Sequence, residues 1–283
     1  MAEWLITGGA GQLGTALQRA LRSSGASFAA PAHAELDVCD AAQVERAVAQ
    51  AAPRIVVNCA ALTKVDTCER EPALAERANA EAVATLARAC TAAGAKLVQL
   101  STDYVFAGDA ASPVREDEAP APRSVYGRTK LAGERAALES PRALVVRTSW
   151  VYGRGRNFPL AILAQAREGK PLRVVADQRG RPTYAADLAE AVLGLVARGT
   201  TGIVNFANDG EASWLELARA VLDSCGFADR PIQPLTTEEL ALPAPRPRYS
   251  VLDLGRVRAL GIVPRDWRAA LAAYLASPDG PRP

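Results

Sequence analysis

The sequence predicts an α/β protein: a doubly wound parallel sheet with a smaller, mostly C-terminal lobe. Three observations carry that prediction. A glycine-rich turn follows the first apolar run directly, short apolar runs alternate with longer helical stretches through the first half, and the alternation loosens after about Trp150. Strands separated by helices of ten or more residues are joined by crossovers rather than hairpins, so they pair in parallel and are covered on both faces.

The elements follow in order. Trp4-Leu5-Ile6 is the first strand and runs into T-G-G-A-G-Q-L-G. Leu13, Leu17 and Leu21, spaced by four, mark one face of a helix that stops near Ser23-Ser24-Gly25. His33 falls in a loop after a strand and reads as a surface residue. Apolar runs at 54–59, 96–100, 143–146 and 172–176 read as further strands. The alanine-rich stretch 72–93, with Leu74, Ala78, Ala82 and Leu86 on one face, reads as a helix between two of them. Beyond Trp150, helices are expected over 157–168, 186–198, 213–225 and 266–277, the third opened by the capping-box pair Ser213 and Glu216. Residues 202–208 (G-I-V-N-F-A-N) read as a strand that returns to the main sheet. Residues 243–250 (P-A-P-R-P-R-Y-S) hold too much proline for a helix and read as an extended ligand or hinge loop. The expected division is a dinucleotide-binding domain over 1–150, rejoined by segments at about 184–207, and an interleaved substrate-binding lobe over 151–283.

Composition excludes several functions. A net charge of +2 supports no nucleic-acid stripe, so affinity for an anion must come from local arginines and backbone amides. Five cysteines, odd in number and without C-x-x-C spacing, argue against a disulfide framework or zinc ribbon and fit a reducing cytosol. A single histidine excludes Ser-His-Asp and Cys-His chemistry unless His33 itself serves, and no metal site is expected. No charged leader precedes an apolar core, and no window approaches 18 uninterrupted apolar residues. The expectation is a cytoplasmic protein that binds neither nucleic acid nor membrane.

Gly8, Gly11 and Gly14 stand at G-x-x-G-x-x-G spacing between the first strand and the first helix. Glycines there let the backbone turn tightly and approach a pyrophosphate at the helix N-terminus, the signature of a Rossmann-type dinucleotide site. No acidic residue follows the second strand to repel a 2′-phosphate, which admits NADPH. No arginine stands there to clamp that phosphate, so NADH is expected to serve as well.

Only four of the 33 basic residues are lysines, and one of them, Lys130, stands four residues after Tyr126 in S-V-Y-G-R-T-K-L-A-G-E (124–134). That spacing projects both side chains from one helical face. A ketone that accepts hydride needs a proton at its developing alkoxide, and a phenol can supply it. A free tyrosine has a pKa near ~10, which a neighbouring ammonium should bring down. Lysine also offers rotatable donors to ribose hydroxyls. Thr102, in Q-L-S-T-D-Y-V-F (99–106), falls at the end of a strand, where ligands of doubly wound sheets bind; its hydroxyl can donate to the substrate carbonyl.

With these motifs in place, the chain resembles the dTDP-4-dehydrorhamnose reductases, extended short-chain dehydrogenases/reductases. The resemblance runs through T-G-G-A-G-Q-L-G, V-N-C-A-A-L-T-K-V-D (57–66), S-T-D-Y-V-F (101–106), V-Y-G-R-T-K-L-A-G-E (125–134) and R-T-S-W-V-Y-G (147–153). It continues through N-F (157–158), D-Q-R-G-R-P-T (177–183) and A-P-R-P-R-Y-S-V-L-D (244–253). It implies reduction of dTDP-4-dehydro-β-L-rhamnose at C4 by NADPH or NADH. Tyr126 would then donate the proton, Lys130 tune it and hold the nicotinamide ribose, and Thr102 orient the carbonyl. Gly11, Gln12 and Leu13 would face the pyrophosphate, with Gly8 and Gly14 shaping the turn; Asp37 and Val38 would lie near the adenine, and Ala60, Ala61 and Thr63 along the cofactor. Asp103 and Trp150 would meet the sugar and Arg246 the diphosphate. Asn79 resembles an asparagine of extended reductases, with a plain helix-surface role as the alternative. Some members carry an acidic residue in the first helix that helps ligate Mg²⁺ at a dimer interface; here it is Ala16, so a monomer or weak homodimer is expected instead. The same motifs also fit a related dTDP-4-keto-6-deoxysugar reductase or a dihydrostreptose-type synthase. A non-catalytic regulatory subunit of this fold would have lost Thr102, Tyr126 or Lys130, and all three are present.

Overall fold

Strands buried on both faces read as nearly continuous apolar runs, with polar residues only where partners satisfy them, and W-L-I-T, I-V-V-N and L-V-V-R-T are buried throughout. In the computed structural model, which describes residues 2–281, they form β1 (Trp4–Thr7), β3 (Ile55–Asn58) and β5 (Leu144–Thr148). With β2 (Phe28–Ala29), β4 (Lys96–Thr102) and the strand Gly202–Asn205 they build one six-stranded sheet. Its order is Gly202–Asn205, β5, β4, β3, β1, β2, with every neighbour parallel. The chain reverses its direction of travel across the sheet between β1 and β3. A crevice opens at such a switch point, outside the carboxyl ends of the strands.

Successive residues serve opposite faces. Ile6, Val57, Val98 and Val146 pack with Leu13, Leu17 and Leu21 of α1 (Gln12–Ser23) and with Leu188, Val192 and Leu195 of the helix Ala185–Ala197. Leu5, Val56, Leu97 and Val145 pack with Val44 and Val48 of α2 (Ala41–Ala51) on the other face. Beyond α2 the chain forms α3 (Val65–Arg70), α4 (Pro72–Glu76), a π turn (Arg77–Glu81), α5 (Ala82–Ala92) and α6 (Val125–Leu138). Leu86 and Cys90 of α5 and Ala137 of α6 complete the second face. A separate core gathers Tyr152, Leu163, Leu217, Trp267 and Tyr274 from later segments. Among the described residues no helix is long and apolar enough to cross a membrane.

The run at 172–176 forms the expected strand, Leu172–Val175, and it pairs with Ile232–Leu235 away from the main sheet. Arg173 within it is exposed, which a strand covered on both faces would not allow. The stretch 72–93 is not one helix. Leu74 is exposed while Ala75 and Asn79 are buried, and after the π turn the buried face continues through Val83, Leu86 and Cys90. The wider turn re-phases the helix, and π turns of this kind concentrate at functional positions.

Helix α6 is set across the sheet by charge. Arg147 of β5 donates to both carboxylate oxygens of Glu134, at 2.8 and 2.7 Å, and Ser101 of β4 donates to the same carboxylate at 2.5 Å. Both ionic side chains are almost fully buried. Arg147→Met would strand that carboxylate in the interior, and chemical denaturation is expected to show a loss of about 3–5 kcal/mol.

Candidate active site

Gly8 adopts φ +64°, and a Cβ there would lie 2.8 Å from the Ala60 amide nitrogen. A Cβ on Gly14 would lie 2.5 Å from the Gly8 carbonyl, and the turn closes through Gly11 N–H donating to that carbonyl at 2.9 Å. The first and third glycines are thus required by backbone contact across the switch point. Helix α1 then starts without a side-chain cap and without an acidic residue in its first turn. Its N-terminal amides and the positive end of its dipole fit an anionic group. Through these amides the residues present fit a dinucleotide phosphate, while Gln12 adds a buried side-chain oxygen with no protein partner, an acceptor for a hydroxyl and not for the phosphate. Leu13 and Gly14 are buried in α1 and can offer backbone only.

At the end of β3, Ala60 and Ala61 are half-buried and Thr63 is exposed. Ala60 N–H is held by Asn58 Oδ1 at 3.2 Å. Val38 belongs to the apolar cluster against which Ala60 packs. The half-buried Asp37 accepts from Cys39 N–H at 2.9 Å. His33 is exposed in a turn. Ala16 is buried against the sheet and offers no oxygen, and no group of three or more metal-capable side chains occurs among the described residues.

Thr102, Tyr126 and Lys130 gather at the carboxyl end of β4. Thr102 ends the strand and is buried; its hydroxyl donates to Asp103 Oδ1 at 2.9 Å and accepts from Tyr104 N–H at 3.2 Å. Tyr126 lies in the first turn of α6, whose N-cap Ser124 accepts from Gly127 N–H at 3.1 Å. Glu69 of α3 accepts from Val125 N–H at 3.0 Å. A Cβ on Gly127 would lie 2.2 Å from the Tyr104 carbonyl, so glycine lets α6 rest directly on the Asp103–Val105 turn. The Tyr104 and Tyr126 rings meet edge to face, 5.5 Å apart. Lys130 Nζ donates to the Leu100 carbonyl at 2.6 Å.

The electrostatics depart from expectation. Burial pushes the Tyr126 phenol above its ordinary range, and a hydrogen bond with Thr102 only partly opposes this. Burial dominates the phenol, and no lowering by Lys130 accompanies it. Lys130 itself is brought down to about 8 by burial, with the Glu134 carboxylate in opposition. Asp103 is pushed up to about 6, again by burial.

Asn79, buried in the π turn, accepts from Leu62 N–H at 2.9 Å and donates to the Leu62 carbonyl at 3.1 Å and to Thr129 Oγ1 at 3.2 Å. The surface reading of this residue is therefore wrong: its amide ties the chain after β3 to the helix of Tyr126 and Lys130. Trp150 holds φ +48°, a strained value for an aromatic residue. Its indole stacks on Trp214 at 3.6 Å and covers Gly180, where a Cβ would fall 2.6 Å from the ring. Arg246 is neither a surface arginine nor an open cation. It is largely buried and donates to Asp66 Oδ2 at 2.8 Å and to the Ala244 carbonyl at 2.9 Å. Trp214, Asp66 and Glu69 escape the sequence reading because each partner lies far along the chain.

The sheet order, the switch-point glycine turn and the crevice above it define a Rossmann-type protein of the short-chain dehydrogenase/reductase kind. More narrowly, the chain belongs to the RmlD substrate binding domain family, whose model matches residues 2–279. It is 47% identical to the dTDP-4-dehydrorhamnose reductase of Streptomyces griseus, over 95% of this chain and 91% of that one. It is 46% identical to the probable dTDP-4,6-dihydroxy-2-methyloxan-3-one 4-ketoreductase of Streptomyces antibioticus, over 95% of this chain and 93% of that one. The crystal structure of dTDP-4-dehydrorhamnose reductase from Bacillus anthracis in complex with NADP superimposes with a TM-score of 0.94 at 36% identity, covering 97% of this chain and 99% of that one.

Because Asp103 moves from 3.8 to about 6, the folded state keeps its proton where the unfolded chain has lost it. Its contribution to stability is full below about pH 3.8 and is lost as pH rises through about 6. Urea denaturation is expected to show wild type losing stability relative to Asp103→Asn across that window, with a constant difference above it.

Proposed function

We propose that this protein reduces the C4 keto group of dTDP-4-dehydro-β-L-rhamnose to give dTDP-β-L-rhamnose, using NADPH and accepting NADH. The observation that carries the reading is the meeting of Thr102, Tyr126 and Lys130 at the carboxyl end of β4, in a chain 47% identical to a reductase of that name.

The nicotinamide supplies the hydride when bound. Gly8, Gly11 and Gly14 admit its pyrophosphate to the α1 N-terminus beside Gln12 and Leu13, with Ala60, Ala61, Thr63, Asp37 and Val38 along its length. Tyr126 gives its proton to the oxygen at C4. A phenol held above its ordinary value stays protonated at neutral pH, which suits a donor that releases its proton only to a developing alkoxide. The Thr102 hydroxyl turns from Asp103 towards the carbonyl oxygen and orients it. Lys130, at about 8, keeps its charge at neutral pH. One of its three N–H donors is spent on Leu100, leaving two for ribose hydroxyls. Asp103 and the Trp150 face receive the sugar, and Arg246 the diphosphate. The protein acts in the cytoplasm as a monomer or weak homodimer.

The Streptomyces antibioticus relative, at 46% identity, favours a second reading, a 4-ketoreductase of another dTDP-deoxysugar with the same proton-transfer residues. Incubation with dTDP-4-dehydro-6-deoxyglucose, a 3,5-epimerase and NADPH, followed by NMR of the sugar, separates the two: dTDP-L-rhamnose is expected, and a different or absent product rejects the first reading. Tyr126→Phe is expected to lower kcat by about 10²–10⁴-fold with NADPH affinity by fluorescence titration nearly unchanged. Unaltered turnover would remove Tyr126 from the chemistry. Lys130→Met is expected to lower turnover and weaken NADPH binding together.

A further inference from the structure

Helix α3 holds the loop at 243–250 through a single carboxylate. Asp66 Oδ2 accepts from the Arg246 guanidinium at 2.8 Å, and Oδ1 accepts from Ala244 N–H at 3.2 Å. Arg246 in turn donates to the Ala244 carbonyl at 2.9 Å. Side chain and backbone of the loop are thus fixed together. The loop needs such a hold, because it forms no helix and prolines 243, 245 and 247 supply no N–H of their own. The pair is not solvated surface charge either: the Arg246 side chain is 12% exposed and that of Asp66 28%.

The held guanidinium borders a small cavity lined also by Tyr104, Arg123 and Ser124. Ser124 caps the helix of Tyr126, and Tyr104 packs on the Tyr126 ring. Arg123 is already paired with Asp109 on the surface, so Arg246 is the arginine held beside the Tyr104–Tyr126 pair. Arg246 has five N–H donors in a planar fork, of which two are engaged, so the others remain for an anion without breaking the Asp66 pair.

Resting on the nucleotide-sugar reading above, we propose that Asp66 is a positioning residue: it holds Arg246 and its loop beside the Tyr104–Tyr126 pair and so sets affinity for the substrate's diphosphate, without touching the reacting atoms. A carboxylate that only competed for the guanidinium would act in the opposite direction, since its removal would free Arg246 for the anion.

The test compares wild type with Asp66→Ala and Asp66→Asn, using calorimetry with dTDP and with inorganic pyrophosphate, steady-state kinetics, NADPH titration, and hydrogen exchange at the Ala244 amide. In Asp66→Ala, the Kd for dTDP and the KM for the sugar nucleotide are expected to rise about tenfold or more, as loss of a charge-assisted hydrogen bond predicts. The kcat should stay within about twofold, NADPH affinity should hold, and the Ala244 amide should exchange faster. Asp66→Asn keeps an acceptor for Ala244 N–H but loses the charge, and should fall between. Unchanged or tighter dTDP binding, a kcat loss at constant KM, or unaltered Ala244 exchange overturns the proposal. Wild type that binds pyrophosphate but not dTDP rejects the substrate reading alone, with pyrophosphate affinity then deciding the role of Asp66. Wild type that binds neither rejects both.

Discussion

The buried pair of Arg147 and Glu134 is the constraint from which the site is built. One carboxylate accepts from Arg147 on β5 and from Ser101 on β4, so α6 is held across two adjacent strands at one height. Arg147 also donates to the Glu116 carbonyl at 3.2 Å, and the Glu116 side chain accepts from Asn205 N–H at 2.8 Å, which brings the returning strand into the same frame. A buried ion pair adds little net stability over apolar packing, but with each of the three Arg147 nitrogens donating it favours one register. Lys130 lies one turn before Glu134, and that register delivers its ammonium to Leu100 and the tyrosine before it to Thr102.

Close approach of backbone does the remaining placement. Gly127 brings α6 onto the Tyr104 carbonyl, and a Cβ on Gly133 would lie 2.1 Å from the Asn79 carbonyl in the π turn. Asn79 converts that second contact into a link with the chain after β3. The helix that carries Tyr126 and Lys130 is therefore fixed on its sheet side by charge and elsewhere by two glycines. Such packing leaves little water, and burial then governs the titrating groups: it lifts Tyr126 and Asp103 and lowers Lys130. A single cause thus favours the neutral form of each group, and for the tyrosine that is the form able to give a proton.

The later segments contribute a different surface. Trp150 follows β5 in a left-handed conformation, held by its stacking on Trp214, its seat over Gly180 and a hydrogen bond from Thr183 N–H to its carbonyl at 3.2 Å. Strain held in this way fits a site where a flat aromatic face must meet a ligand in one orientation. Elsewhere, Asp66 fixes the proline-rich loop that carries Arg246.

Much of this was legible in the amino-acid order because the signals are local. Apolar runs report strands covered on both faces, the spacing of Leu13, Leu17 and Leu21 reports α1, and glycines between strand and helix report the phosphate turn. Tyr126 and Lys130 share a helical face by spacing alone. What only the tertiary structure decided depends on partners distant in sequence: the π turn around Asn79, the seat of Arg246 on Asp66, the Trp150–Trp214 stack and the pairing of Leu172–Val175 with Ile232–Leu235. The protonation of the site belongs there too. A residue's type determines whether it can titrate, but burial is a property of everything packed around it, and here burial outweighed the nearby charge.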